Sequence, residues 1–130
     1  MLPGVTCTRL GADRCPGLLK PFVAQDGAII RLRVPGGRVR VSTLADLLAI
    51  GADHGAPLLS VTSRTNLQVR GLPDPLPEDV MVRAEATGLL PSPSHERARN
   101  ILAAPLAPDL QPLVAELDAA LCADPFLADL

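Results

Sequence analysis

Thr62-Ser-Arg-Thr-Asn-Leu-Gln-Val-Arg-Gly71 alternates two kinds of side chain. In an extended chain, successive side chains point to opposite faces. Arg64, Asn66, Gln68 and Arg70 then share one face, and Thr65, Leu67 and Val69 share the other. The apolar row belongs on a core. The opposite row is a set of hydrogen-bond donors, with no acidic residue in the stretch to pair the arginines. The pattern predicts a strand that holds an anionic, polar partner.

A second stretch repeats the idea. Gly27-Ala-Ile-Ile-Arg-Leu-Arg-Val-Pro-Gly-Gly37 sets Ile29, Arg31 and Arg33 against Ile30, Leu32 and Val34. Pro35 lacks an N–H and the glycines permit unusual φ, so the strand ends there. Arginines on one strand commonly mark only the wet face of a half-buried sheet. Two such strands in one small domain favour a binding face.

The rest of the composition bounds the answer. At 130 residues, 48% hydrophobic and 20% charged, the chain reads as one globular domain. Net charge is −2, so no global field attracts nucleic acid and any basic site is local. With two Phe and no Tyr or Trp, the core must be aliphatic. The start of the chain shows no basic region followed by an apolar run, and no apolar run reaches the roughly 18 residues of a membrane span. Cys7, Cys15 and Cys122 are odd in number and form no C-x-x-C. A reducing, cytoplasmic setting without a disulfide framework is expected.

Along the chain, residues 1–26 read as an irregular arm. A strand is predicted at about 28–34. A helix follows over 42–50, with Thr43 as cap, Asp46 three residues on, and an apolar stripe of Leu44, Leu47 and Leu48. Segments 58–62 and 66–70 read as an antiparallel pair turning at Ser63–Thr65. Pro77-Glu-Asp opens a second helix that runs to Gly88. This is β-α-β-β-α, most of a ferredoxin-like α+β unit occupying 27–90. Residues 91–130 read as a helical extension of two helices, one over 94–104 and one capped by Asp109 and closed by Pro125. The last helix carries Leu110, Leu113, Val114, Leu117 and Leu121 at helical spacing, a stripe that needs a cover and predicts self-association.

Catalytic constellations are weak. Ser60, Ser63, His54 and His95 form no motif, and the carboxylates are scattered. Ser94 and Glu96 read as capping residues. Three cysteines fall short of the four thiolates of a cubane cluster. Cys15 beside Arg14 could be reactive, but a small apolar filler in a turn explains it better. Gly36-Gly37 lacks the spacing of a phosphate loop. Arg97-Ala-Arg-Asn100 is either a solvated helix face or a third anion-binding element.

Taken together, the segments resemble the nitrite and sulfite reductase superfamily. R-x-R-x-P-G-G matches residues 31–37, T-S/N-R-x-x-x-Q-x-x-G matches 62–71, and R-N-I/V matches 99–101. Within it, Cys15-Pro-Gly17, Thr62 through Gly71, Leu90 through Asn100 and Ala104-Pro-Leu106 resemble the precorrin-3B synthase family of cobalamin biosynthesis, where A-C-P-G is usual and Arg14 here stands in the first place. The resemblance spans about residues 12 to 126. It implies a tetrapyrrole site with Arg31, Arg33, Arg64, Asn66, Gln68, Arg70, Arg99 and Asn100 as binding residues. Asn66 and Arg70 are the choices of the precorrin branch.

The family's chemistry, as the resemblance implies it, is an oxygen-dependent hydroxylation of precorrin-3A at C20 with lactone formation. It uses a [4Fe–4S] cluster and a further iron, with siroheme in the reductase branch. The cluster cysteines of such enzymes are absent here. The expectation is a tetrapyrrole-binding amino-terminal segment that is incomplete alone, needing the missing half or a separate cluster-bearing chain. The alternatives are a siroheme reductase half-domain or a non-catalytic remnant. An RNA-binding sheet is disfavoured, because such sheets stack bases on aromatics and neither Phe22 nor Phe126 falls on a predicted strand.

Overall fold

A computed structural model describes residues 15–55 and 58–128. Four strands, β1 (Phe22–Ala24), β2 (Gly27–Leu32), β3 (Leu59–Val61) and β4 (Leu67–Leu72), form one antiparallel sheet in the order β1-β2-β4-β3. Helix α1 (Val41–Asp53) joins β2 to β3, α2 (Glu78–Ala86) follows β4, and α3 (Leu110–Ala123) comes last. The expected β-α-β-β-α unit of an α+β fold is present. β1 is an addition to it, since it lies within the stretch read as an irregular arm. It pairs along the free edge of β2, with Phe22 opposite Ile29, so Phe22 is on a strand after all.

The period-2 alternation holds where it was read. Ile30 pairs with Val69, Leu32 with Leu67, and Arg31 with Gln68. The apolar partners point into a core with Leu47 and Ile50 of α1 and Val80 and Ala84 of α2. Aliphatic side chains fill it, and Leu18 from the segment before β1 joins them. Alternation fails at one place. Val69 and Leu72 are both in the core although three residues apart, because the register shifts between Ala28 and Ile30. Arg70 and Gly71 hold the extra residue, and Gly71 sits at φ 73°, the left-handed conformation typical of such bulges.

The hairpin β3–β4 turns where expected. Thr65 N–H donates to the Thr62 carbonyl at 2.9 Å, and Thr62 N–H donates to the Asn66 carbonyl at 2.9 Å. Thr65 takes φ 59°, where a β-branched residue is strained.

Helix α1 begins earlier than expected, and Thr43 is inside it and buried rather than its cap. Arg40 holds the cap position, without a side-chain hydrogen bond. Pro77 opens α2, with Glu78 and Asp79 in its first turn, and the helix stops two residues short of Gly88.

The helix expected over 94–104 does not form. A short 3-10 turn at Pro93–His95 runs into irregular backbone. Its polar side chains are drawn away from a helical face. Glu96 is 7% exposed and accepts the N–H groups of Leu18 and Leu19 at 2.9 and 3.3 Å, so it fixes the distant segment before β1 rather than capping its own turn. Gly17 leaves room for that carboxylate: a Cβ there would lie 2.0 Å from Glu96 Oε1. His95 Nε2 donates to the Asp124 carbonyl at 2.9 Å, while Nδ1 lies 2.7 Å from Ser92 Oγ. Tertiary bonds of this kind outweigh local helix propensity. Only one of the two trailing helices is therefore present. α3 buries Val114 and leaves Leu110, Leu113 and Leu117 exposed, beside exposed Leu106 and Phe126.

Candidate anion-binding site

The ends of β2 and of the β3–β4 hairpin converge on a cleft of about 290 Å³. Arg31 and Arg33 reach it from β2 and the residue after it. Ser63 and Arg64 come from the hairpin turn, Asn66 from the start of β4, and Arg97 and Asn100 from the irregular segment beyond α2. Cys15 and Thr62 complete the lining. Four guanidinium groups thus meet in one hollow, and no carboxylate or imidazole is among the described lining residues. Guanidinium groups stay protonated at any ordinary pH, so the cleft suits holding an anion rather than moving a proton.

Each arginine is placed by a different device. Arg31 donates through Nε and Nη2 to the Gln68 side-chain carbonyl at 3.2 and 3.1 Å. That cross-strand pair follows from the register, which sets the two residues opposite one another. Arg33 is 5% exposed. It donates to the Pro16 carbonyl at 3.0 Å and to Cys15 Sγ at 3.1 Å, tying Cys15-Pro-Gly17 to the sheet, while its Nε is enclosed without a partner. No carboxylate pairs with it among the described residues. Arg64 rides the strained turn at the exposed rim and makes no side-chain bond among the described residues.

Asn66 is the joint. Its Oδ1 accepts from the Val34 N–H at 3.0 Å, and its Nδ2 donates to Asn100 Oδ1 at 2.7 Å. It therefore fastens the end of β2 and the residue-100 segment to β4.

Three residues of the expected set are not in the lining: Gln68, which holds Arg31 from β4, and Arg70 and Arg99, which pair elsewhere. Arg70 lies in the bulge and pairs with Asp26, Nε to Oδ2 at 3.2 Å, at the far end of the strand. The hydrogen bond from Arg70 is the main cause that holds the Asp26 carboxyl below its ordinary range. Arg99 is 4% exposed and forks onto Asp118 of α3 at 2.7 and 2.8 Å, with a third bond to the Leu89 carbonyl at 2.8 Å. It anchors α3. Arg97, two residues earlier, faces the cleft instead. Without a helix over 94–104, the spacing of the two arginines cannot say which turns inward. Cys15, Thr62 and Ser63 were not in the expected set. The C-P-G motif and the turn itself are the signals that could have included them.

Residues 23–86 match the family model for the nitrite/sulfite reductase ferredoxin-like half domain. That segment, just under half of the chain, is similar to a ferredoxin-like half domain of that family. No curated protein and no solved structure matches the chain. The half domain contains Arg31, Arg33, Arg64 and Asn66 of the cleft, whereas Cys15, Arg97 and Asn100 come from outside the matched span. The family is linked to iron–sulfur clusters and siroheme. A [4Fe–4S] cluster takes four thiolates, and this chain has three cysteines, of which Cys7 lies outside the described residues. No group of three metal-binding side chains gathers among the described residues. This chain's own residues therefore do not fit a cluster. No helix among the described residues is long and apolar enough to cross a membrane.

Proposed function

We propose that the arginine cleft grips the rim carboxylates of an anionic tetrapyrrole, and that the chain is the substrate-binding segment of a precorrin-3B synthase-like oxidoreductase. Buried Arg33 carries the reading. A guanidinium taken out of water is costly unless a counter-charge meets it. Here it is held only by a carbonyl and a thiol among the described residues, and it lines a hollow with three further arginines. A carboxylate entering that hollow would supply the missing charge and bind guanidinium forks in pairs.

Size supports an edge-on grip. About 290 Å³ is at the small end for a ligand pocket, so it admits rim acetate or propionate groups while the macrocycle lies outside. Precorrin-3A as the ring, and C20 hydroxylation with lactone formation as the reaction, rest on the sequence resemblance. Siroheme, the reductase cofactor, offers the same rim chemistry and is the alternative ring. The redox centre belongs to a cluster-bearing polypeptide, continuous with this chain or separate. This chain contributes binding and orientation.

The test is a titration of the full chain with uroporphyrin, its octamethyl ester, siroheme and precorrin-3A, followed by absorbance. The free acids should bind and the ester should not. Arg64→Ala should weaken binding by about tenfold or more, the value of one lost charge-assisted bond, with unchanged stability. Equal binding of ester and acid would refute the carboxylate grip. Preference for siroheme over precorrin-3A would select the reductase branch.

A further inference from the structure

Cys15 is partly exposed and lines the arginine cleft. Read from sequence, it is an apolar filler with Arg14 beside it. The structure sets a different arginine against its sulfur. Arg33 Nη2 donates to Cys15 Sγ at 3.1 Å, and the bond from Arg33 Nη1 to the Pro16 carbonyl at 3.0 Å holds the guanidinium in place. Reactive cysteines sit in partly exposed, electropositive surroundings of this kind, whereas inert ones are buried among apolar groups.

A cysteine beside an arginine would mean little alone. Arg33 adds a separate observation. It is 5% exposed, and its Nε is enclosed with no hydrogen-bond partner among the described residues. Buried donors are ordinarily paired. Nε and Nη2 form one edge of a guanidinium, and that edge can take both oxygens of a carboxylate. Arg99 uses it so on Asp118, Nε to Oδ1 and Nη2 to Oδ2. Arg33 turns the same edge towards Cys15, with the sulfur on Nη2 and Nε left unfilled among the described residues. Because Nε is enclosed, an oxygen carried by the neighbouring sulfur reaches it more readily than a ligand arriving from outside.

We propose that Cys15 is a peroxide-sensitive modification site, whose sulfinate pairs with Arg33 and closes the cleft to carboxylate ligands. In the first step the thiol takes one oxygen from hydrogen peroxide, the O–O bond breaks, and a sulfenic acid and one water form. A second peroxide adds a second oxygen and releases a second water, giving the sulfinic acid. Sulfur loses two electrons at each step, and the peroxide gains them. The sulfinic acid then gives its proton to solvent. Its two oxygens take Arg33 Nε and Nη2 as the Asp118 carboxylate takes those of Arg99. The new charge stands in a hollow of four guanidinium groups and supplies what a ligand carboxylate would otherwise bring. The closure rests on the carboxylate grip proposed above, whereas the oxidation and its pairing with Arg33 do not.

The experiment treats the full chain with hydrogen peroxide and maps the products by peptide mass spectrometry. Cys15 should gain two oxygen atoms several-fold faster than Cys122, the partly exposed cysteine of α3. Oxidation should raise Tm in the wild type and leave it unraised in Cys15→Ser. Arg33→Met should slow oxidation of Cys15 to the Cys122 rate. Should that variant fail to fold, Cys15→Asp against Cys15→Asn decides, since only Asp brings a charge to the Arg33 fork and it should unfold at the higher temperature. Oxidised wild type and Cys15→Asp should each bind uroporphyrin about tenfold or more weakly than the reduced chain. Oxidation at Cys15 no faster than at Cys122, a Tm that falls on oxidation, or Cys15→Asp no more stable than Cys15→Asn would overturn the assignment. Uroporphyrin binding that survives oxidation would overturn the closure. A reduced chain that ignores uroporphyrin, while oxidation of Cys15 still raises Tm, would uphold the modification site and refute the carboxylate grip.

Discussion

Asn66 Nδ2 donates to Asn100 Oδ1 at 2.7 Å across 34 residues of chain, and the same side chain accepts from the Val34 N–H. One amide thereby joins three segments that line the arginine cleft. Asn66→Ala leaves the buried Val34 N–H unpaired, which costs about 1–3 kcal/mol. Urea denaturation should show that loss. Asn66→Asp keeps the acceptor for Val34 but sets a carboxylate against Asn100 Oδ1, so it should not restore full stability.

Arg99 and Asp118 form the bond between the irregular 94–104 segment and α3. Removing Asp118 strands the buried Arg99 guanidinium, and Asp118→Ala should cost about 3–5 kcal/mol. Replacing both, Arg99→Met with Asp118→Leu, should cost much less than either single change. A double-mutant cycle by thermal unfolding checks it. Additive losses would show that the two residues act separately.

Thr65 is held at φ 59° in the turn that presents Arg64. Strain of this kind costs of order 1–3 kcal/mol in a non-glycine residue. Thr65→Gly should therefore raise the unfolding midpoint or leave it level, despite the freedom glycine adds to the unfolded chain. The same variant should weaken carboxylate binding, because Arg64 loses its fixed platform. Lower stability with intact binding would show that the turn stores no strain for the site.

Asp26 is held below its ordinary carboxyl value of 3.8 chiefly by the hydrogen bond from Arg70. A lowered folded value means stability that is present above the unfolded value and lost as pH falls through the folded one. The pair is at the surface, so the effect is small and screened by salt. Wild type should exceed Asp26→Asn in stability at neutral pH, and the two should converge in acid below 3.8. A gap that is constant with pH would place the effect elsewhere.

Leu110, Leu113 and Leu117 remain exposed on one helix, beside exposed Leu106 and Phe126. The i, i+3, i+7 spacing sets the three leucines on one face of α3, and an exposed apolar face of this kind marks a contact surface. Light scattering of the chain alone should show concentration-dependent association that Leu113→Lys/Leu117→Lys abolishes. A monodisperse monomer at high concentration would contradict it.

The sequence by itself determined the α+β unit, because its signals are local. Alternation between Arg31, Arg33 and their apolar neighbours, the Pro35-Gly-Gly37 stop, and Pro77 ahead of two acids each act within a few residues. They assign strands, turns and helix starts without knowledge of distant partners. The motifs also placed Arg31, Arg33 and Arg64 at or beside strand ends. Tertiary structure alone decided which arginines share a cleft. Arg70 meets Asp26 and Arg99 meets Asp118, pairings between carboxylates and guanidinium groups far apart in the chain that no period encodes. It decided, too, that 94–104 is not a helix, since Glu96, His95 and Arg99 each gain more from a remote backbone or carboxylate partner than from a solvated helical face. The bulge at Arg70–Gly71 is the clearest boundary between the two kinds of information: strict alternation carries the reading to Val69, and the next residue's surroundings depend on how β2 pairs with it.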